Sequence, residues 1–169
     1  MRKIEVFFDY ACPYCLAGHG YLKALLRKHP DIEPVWRPCE AHPHPERYGP
    51  HSDLCIRGMF FARDRGVDLW AYHERMYRLA LKDRADIEDA GALTRGAADL
   101  FANPSDAEAF RAALQSGAYA DELGRANDHA YEKSGVWAVP SYRMEGRKLD
   151  AIEGIGVTKR QLDDFMRGR

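Results

Sequence analysis

Residues 4–15 read IEVFFDYACPYC, and this stretch decides the fold. The apolar run from Ile4 to Phe8 predicts a buried strand, and the residues after Cys12 follow a helical pattern. Cys12 and Cys15 therefore stand at the start of a helix, where a two-residue spacing lets two cysteines reach disulfide geometry within one turn. Pro13 suits the first helical position, because the N–H that it lacks has no partner there. The stretch predicts a redox-active dithiol between a strand and a helix.

The two cysteines are expected to have different roles. Unpaired N–H groups and the macrodipole at a helix N-terminus favour a negative sulfur, so Cys12 is the expected nucleophile. Cys15 lies inside the first turn and is expected to be shielded, as the resolving thiol. Half of a zinc knuckle and a pair of buried structural cysteines are the alternatives. The remaining cysteines, Cys39 and Cys55, do not form a second Cys-x-x-Cys pair, which disfavours the zinc knuckle.

The composition is that of an ordinary globular domain. The chain has 169 residues, of which 46% are hydrophobic and 30% charged, with a formal net charge of -1. This length fits one domain, 1–169, and the charge argues against a nucleic acid or an anionic membrane as partner. No run approaches the ~20 apolar residues of a membrane-spanning helix, and residues 1–9 show no signal-peptide pattern. A cytoplasmic location is expected, where cysteines are more often catalytic or metal-binding than structural.

The N-terminal third of the chain predicts a βαβ unit. A strand over Ile4–Asp9 is followed by a helix over Pro13–Lys28 and a second strand over Ile32–Arg37. Pro34 requires an edge position or one that donates no ladder hydrogen bond. Residues 39–52 are rich in proline and histidine and are predicted to be a loop.

Residues 53–134 are predicted to be a helical block inserted into this domain, because no flexible linker brackets them. Asp86 and Ser105 are expected as N-caps, the latter in a capping box with Glu108.

The C-terminal part predicts two strands and a helix. The strands cover Val136–Glu145 and Lys148–Glu153, on either side of a turn at Gly146. Thr158 and Gln161 predict a capping box for the last helix.

Three separated segments carry a family resemblance: FFDYACPYC at residues 7–15, the helical block, and GVWAVPSY at residues 135–142. With them the chain resembles the DsbA-like branch of the thioredoxin superfamily, and within it the FrnE-type dithiol oxidoreductases. The resemblance implies an α/β thioredoxin fold, with βαβ followed by ββα in a mixed central sheet and a helical insertion.

The resemblance also implies roles for residues far from the dithiol. Pro140 matches the family's cis proline, which lies against the two cysteines, although a trans proline that merely starts a strand is the alternative. The Val139 backbone is then expected to pair with an extended substrate by adding a strand to the sheet edge.

Two residues next to the dithiol are also candidates. Tyr14 is expected to face solvent or substrate. Asp9 is a candidate proton relay, against the simpler interpretation of a loop carboxylate near a helix N-terminus.

A cluster of soft and imidazole ligands follows the βαβ unit, and its role stays open. Zinc binding, a second disulfide and unconnected loop or core residues are the alternatives. The cluster comprises Cys39, His42, His44, His51 and Cys55. His19 and His29 are expected to be surface or capping residues of the first helix.

We therefore predict a thiol-disulfide oxidoreductase, a protein disulfide oxidoreductase or isomerase, that acts on protein, peptide or small thiols and disulfides. No cofactor beyond the dithiol and no metal is expected at the site formed by Cys12, Cys15 and Pro140, while glutathione is a candidate co-substrate. One alternative is a glutathione-dependent isomerase or transferase using Cys12 alone. The related 2-hydroxychromene-2-carboxylate isomerases and kappa-class glutathione transferases have serine in place of the first cysteine. A zinc-binding, redox-sensing module is the other alternative. The direction of exchange depends on a reduction potential that sequence does not give.

Overall fold

The computed structural model describes residues 1–169 and has a mixed α/β architecture. Four strands form one sheet in the order β2-β1-β3-β4. The strands are β1 (Arg2–Phe8), β2 (Ile32–Pro38), β3 (Ser141–Met144) and β4 (Arg147–Asp150). β1 is parallel to β2 and antiparallel to β3, which is antiparallel to β4. This is the mixed sheet that the thioredoxin fold predicts.

Seven α-helices accompany the sheet. They are α1 (Pro13–Leu26), α2 (Asp53–Asp64), α3 (Leu69–Tyr77), α4 (Ala90–Ala97), α5 (Pro104–Ser116), α6 (Ala120–Asp128) and α7 (Lys159–Met166). π-Helical turns, Arg78–Lys82 and His129–Lys133, follow α3 and α6, and a 3-10 turn, Ala98–Leu100, follows α4. None of the helices is both long enough and apolar enough to span a membrane.

The chain divides into two compact units. Met1–Ala41 and Ala126–Arg169 form the sheet unit, which contains all four strands, α1 and α7. His42–Arg125 form the helical unit, with α2 to α5 and most of α6. The interpretation of residues 53–134 as an insertion into a single domain stays a prediction.

The sheet unit has its core on β1 and α1. Ile4 and Phe7 of the strand and Leu22 and Leu25 of the helix are buried, as their apolar patterns predict. β2 has β1 as its single neighbour, which leaves Pro34 on an edge strand. His19 is buried, and its ring centroid lies 6.0 Å from that of Trp36, so the expectation that it is a surface residue was wrong.

The helical unit has an aromatic core of its own. Phe61, Phe101 and Phe110 contact one another, with ring centroids 5.2–5.8 Å apart. Gly58 lies so close to this core that an added Cβ would be 2.3 Å from Tyr72 Oη and 2.8 Å from Phe110 Cε2. The small residue therefore lets α2 approach its neighbours.

Two predicted helix starts were wrong. α4 begins after Asp89, whose side chain accepts from the Ala92 N–H at 2.7 Å, while the Asp86 side chain accepts from Glu88 in the preceding turn. α5 begins at Pro104, which puts Ser105 inside the first turn and excludes its capping box. Proline explains the shift, since it favours the first helical position and an extended residue before it.

The C-terminal hairpin is shorter than predicted. β3 begins at Ser141 rather than Val136, and β4 covers Arg147–Asp150 rather than Lys148–Glu153. Pro140 has no N–H to contribute to a ladder, and Val136 donates instead to Ala130 at 2.9 Å. The turn at Gly146 and the Thr158–Gln161 capping box on α7 are confirmed.

Candidate active site

Cys12 lies at the junction between the end of β1 and the start of α1. It is the N-cap of α1, with extended backbone angles (φ -98°, ψ 116°). Its Sγ accepts a hydrogen bond from the Cys15 backbone N–H at 3.3 Å. A sulfur in this position receives an N–H group that the helix leaves unpaired, as the sequence pattern predicts. Cys12 is partly exposed, whereas Cys15 is buried.

The two thiols are electrostatically unlike. The pKa of Cys12 is lowered, first by a hydrogen bond from the Cys15 thiol and then by the backbone N–H groups of Cys15 and Tyr14. Burial raises the pKa of Cys15 well above its usual value, and its hydrogen bond to Cys12 raises it further. Cys12 is thus the thiol that ionises, while Cys15 keeps its proton and stabilises the neighbouring thiolate.

The loop before β3 brings distant residues to the dithiol. The Cys12 thiol is 3.7 Å from the Val139 carbonyl oxygen, to which it can donate while protonated. The Val139–Pro140 peptide bond is cis, and Pro140 is buried. Ser141 Oγ donates to the Ala138 carbonyl at 2.6 Å, which ties the loop to the first residue of β3. Residues 127 positions apart in the chain therefore share one site.

The sequence predicts a sheet edge at Val139, whereas the structure places Val139 just before a central strand. It precedes β3, and β3 lies between β1 and β4, so the sheet edges are β2 and β4. Pairing to Val139 would extend the ladder beyond the end of β3 rather than add a strand alongside it.

α1 approaches β3 at Gly18, one turn after Cys15. A Cβ at this position would lie 2.6 Å from Tyr142 Oη and 3.3 Å from Pro140 Cγ. Tyr142 is buried, and burial followed by the nearby Cys15 and Cys12 thiols raises its pKa, so its hydroxyl stays protonated. No sequence pattern singles out Gly18 or Tyr142 for this contact, since α1 also contains Gly20, whose added Cβ would meet nothing within 4 Å.

Asp9 is buried and serves as an acceptor for two backbone segments. Its Oδ1 accepts from the Ala11 N–H at 2.8 Å and its Oδ2 from the Ala41 N–H at 2.7 Å. The carboxylate thus links the loop before Cys12 to the chain after β2. Its negative charge also disfavours thiolates at Cys12, Cys15 and Cys39. Its role as a proton relay stays a prediction.

Cys39 belongs to an apolar cluster next to this loop. Phe7, Cys39, Ala130 and Val136 are buried together, and Tyr131 and Val139 pack against them. Burial raises the pKa of the Cys39 thiol to about 12, which makes it a poor nucleophile at neutral pH. Tyr131 donates its hydroxyl to the Glu40 carbonyl, closing the cluster.

Exposed apolar side chains lie on the segments next to the dithiol. Tyr14, between Cys12 and Cys15 in the sequence, is 41% exposed. Trp137, two residues before Val139, is 66% exposed. Ile152 and Ile155, in the loop after β4, are also exposed. Gly156 of that loop contacts Tyr14 so closely that an added Cβ would be 3.0 Å from Tyr14 Cβ.

The remaining residues of the predicted cysteine and histidine cluster lie in the helical unit. Cys55 is buried inside α2. His42 Nδ1 is 3.0 Å from Glu46 Oε2, whereas His51 Nδ1 is 2.8 Å from Glu88 Oε1. His44 stacks on His51, with ring centroids 3.7 Å apart. On the sheet unit, His29 Nε2 lies 3.0 Å from Asp163 Oδ1 of α7, and the His29 backbone N–H donates to the Leu25 carbonyl in the last turn of α1.

Comparisons with known proteins agree with this geometry. The model of the DSBA-like thioredoxin domain matches residues 3–162. Protein YwbO of Bacillus subtilis, itself uncharacterized, is 25% identical over 95% of this chain and 96% of its own.

Solved structures share the fold. A probable DsbA oxidoreductase from Streptomyces coelicolor has a TM-score of 0.76 at 18% identity, over 100% of this chain and 91% of its own. MdbA, a thiol-disulfide oxidoreductase from Actinomyces oris, has a TM-score of 0.70 at 17% identity, over 99% and 81%. The cytosolic disulfide reductase DsbM from Pseudomonas aeruginosa has a TM-score of 0.68 at 14% identity, over 98% and 95%.

Proposed function

This chain belongs to the DsbA-like thioredoxin domain family of thiol-disulfide oxidoreductases, and from that membership we propose that Cys12 and Cys15 are its redox-active dithiol. One observation carries the proposal. Cys12 receives hydrogen bonds at the start of α1 that lower its pKa, while the adjacent Cys15 is buried with a raised pKa. This asymmetry separates an attacking thiolate from a resolving thiol.

The exchange proceeds in two balanced steps. The Cys12 thiolate attacks one sulfur of a substrate disulfide, forming a mixed disulfide and releasing the first substrate thiolate. Cys15 then loses its proton and attacks the Cys12 sulfur. The Cys12–Cys15 disulfide forms and the second substrate thiolate leaves, so two electrons pass from the dithiol to the substrate. The reverse sequence oxidises a substrate dithiol.

We assign substrate contact to Tyr14 and to the Val139 backbone, and the shaping of the groove to Pro140. The Val139 carbonyl faces the Cys12 sulfur, so an extended segment that pairs there brings its own sulfur close to the nucleophile. Recognition through the backbone fits substrates of varied sequence, and exposed Trp137 adds an apolar contact. Protein or peptide thiols and disulfides are therefore the proposed substrates, with glutathione as an exchange partner.

Asp9 is the proposed route for the proton that Cys15 must lose before it resolves the mixed disulfide. It is buried, and its charge acts on both thiols. A FrnE-type assignment within the family and a cytosolic location are parts of the same proposal. For the location, the cytosolic disulfide reductase DsbM offers a precedent in this fold.

Thiol trapping beside a glutathione redox titration tests the dithiol. We expect wild type to titrate as one two-electron couple, Cys12→Ser to lose exchange, and Cys15→Ala to accumulate a mixed disulfide with a peptide substrate. Cys55→Ala is the matched control, since it also removes a buried thiol and should titrate like wild type.

Full turnover by Cys15→Ala would contradict the dithiol mechanism. That result would favour the alternative, a glutathione-dependent isomerase or transferase that uses Cys12 alone. A wild type without a two-electron couple would also overturn the proposal.

A further inference from the structure

Three side chains of the helical unit that no disulfide chemistry uses converge on one point. They are His44 and His51, from the loop between β2 and α2, and Glu88, from the turn before α4. One ligand atom from each lies within 4.8 Å of the others. Asp53, the first residue of α2, lies beside this group, with its Oδ1 3.7 Å from His44 Nε2. Two imidazoles and one carboxylate thus converge, and a second carboxylate is next to one of the imidazoles.

We propose that His44, His51 and Glu88, with Asp53 as the fourth donor, form a binding site for one Zn²⁺ ion. Two imidazole nitrogens with carboxylate oxygens make a donor set that zinc accepts in tetrahedral geometry. The group contains no thiolate, so it is chemically distinct from a site on the dithiol.

His51 is oriented as a metal ligand. Its Nε2 lies 2.7 Å from the Glu46 carbonyl oxygen, to which it donates, and its Nδ1 lies 2.8 Å from Glu88 Oε1. A metal-bound histidine commonly donates its other N–H to a backbone carbonyl, which holds the ring and points the free nitrogen at the ion. Zinc would replace the proton between Nδ1 and Glu88, and that proton would leave to solvent.

The His44 side chain must move for the donor atoms to reach zinc-binding distances. Donor atoms around tetrahedral zinc with bonds of ~2.0–2.1 Å lie about 3.3 Å apart. The His44 nitrogen must therefore move closer, while His51 Nδ1 and Glu88 Oε1, which are 2.8 Å apart, must separate slightly. His44 Nε2 is 4.0 Å from Glu88 Oε1, and its side chain is 57% exposed. Its ring is therefore free to turn from the stack on His51 toward the ion. His51, at 10% exposure, is the fixed side of the site.

An ion bound here would connect elements that are distant in sequence. His51 and Glu88 are 37 residues apart, and the site links the loop 42–52 to the N-terminus of α2 and to the turn before α4. Because the ion binds only the folded arrangement, we expect zinc to stabilise the helical unit.

Calorimetric titration of zinc chloride into chelator-treated, oxidised protein tests the site, because the Cys12–Cys15 disulfide cannot bind zinc. We expect one ion per chain in wild type and a loss of affinity of at least tenfold in His44→Ala and in Glu88→Gln. Both side chains are exposed enough for these variants to fold. His42→Ala is the matched control, because His42 is also 57% exposed but pairs with Glu46, and we expect it to bind within twofold of wild type.

A second readout identifies the donors. The Co²⁺ form should show d–d absorption without a thiolate-to-metal charge-transfer band, and zinc should raise the midpoint of thermal unfolding of wild type but not of His44→Ala. The proposal is overturned if wild type binds no zinc, if all three variants bind like wild type, or if a thiolate charge-transfer band appears.

Discussion

At the scale of single residues, the chemistry depends on one hydrogen bond between two thiols. Cys15 donates to the Cys12 sulfur, and this is the largest influence that lowers the pKa of Cys12. The helix N-terminus alone contributes less, through the backbone N–H groups of Cys15 and Tyr14. In the proposed mechanism Cys15 therefore acts twice, first as the donor that stabilises the Cys12 thiolate and later as the resolving thiol.

Substitutions at position 15 separate these two roles. Cys15→Ala removes the donor, so we expect the pKa of Cys12 to rise above its wild-type value. Cys15→Ser is the matched variant, because its hydroxyl still donates, and we expect its Cys12 pKa to stay below that of Cys15→Ala. The pH dependence of alkylation by iodoacetamide measures both, since only the thiolate reacts. Equal pKa values in the two variants would refute the role of the Cys15 donor.

At the scale of elements, the site depends on how closely α1 lies against β3. Gly18 leaves no room for a methyl group between the helix, Tyr142 and Pro140. Tyr142, whose hydroxyl is the nearest atom to that methyl position, is fully buried. The same contact that packs the helix therefore holds Pro140 beside the dithiol.

Two glycine-to-alanine variants in α1 test this packing. We expect Gly18→Ala to lower the free energy of unfolding by about 1–3 kcal/mol, because an added methyl group would overpack the contact. Gly20→Ala is the control on the same helix, since nothing lies within 4 Å of its added Cβ. It should raise the free energy of unfolding by about 0.5–1 kcal/mol through helix propensity. Urea denaturation measures both, and a neutral or stabilising Gly18→Ala would show that the contact is not tight.

At the scale of the whole molecule, we expect the proposed dithiol to couple redox state to stability. The folded pKa of Cys12 lies below its unfolded value, so its thiolate stabilises the reduced fold above that folded pKa, and the stabilisation is lost as the pH falls through it. The folded pKa of Cys15 is raised, so its effect opposes this once the unfolded Cys15 ionises, near pH 8.5. The oxidised protein has neither titration.

We therefore expect the reduced protein to gain stability relative to the oxidised protein as the pH rises toward about 8.5. The gain should reach about 1.4 kcal/mol for each unit by which the pKa of Cys12 is lowered, and it should shrink at higher pH. Urea unfolding of both forms across this range measures it. Cys39 and Cys55 remain thiols in both forms, so their contributions cancel in the difference between the two unfolding free energies. The gain in stability with pH should vanish when reduced Cys12→Ser is compared with oxidised wild type. If the difference in unfolding free energy between reduced and oxidised wild type does not change with pH, the coupling is contradicted.

The metal site proposed in the helical unit also belongs to this scale. Its ligands come from a loop, a helix start and a turn, and no spacing within one element relates Glu88 to the two histidines. The sequence pattern marked the histidines but grouped them with Cys39, His42 and Cys55. In the structure, the two histidines lie instead beside the carboxylates of Glu88 and Asp53.

What the sequence determined by itself is the closeness of Cys12 to Cys15 and the local order of the elements. The dithiol at the start of α1, the βαβ beginning, the turn at Gly146 and the Thr158–Gln161 capping box all follow from residues a few positions apart. Their geometry is set by the backbone of one turn or one strand, so a short pattern is sufficient. Two helix starts were missed for different reasons. Asp86 and Asp89 can both cap a helix, and only Asp89 caps α4, whereas Pro104 sets the start of α5 after Asn103.

Only the tertiary structure decided which distant groups meet. Val139 reaches Cys12 across 127 positions, Asp9 links two loops, and Gly18 fits beneath Tyr142. Such contacts depend on the order of strands in the sheet and on side-chain volume. Their physical cause is close packing around a buried strand, which no pattern along the chain encodes. The sequence determined that a dithiol would form here, and the fold decided what surrounds it.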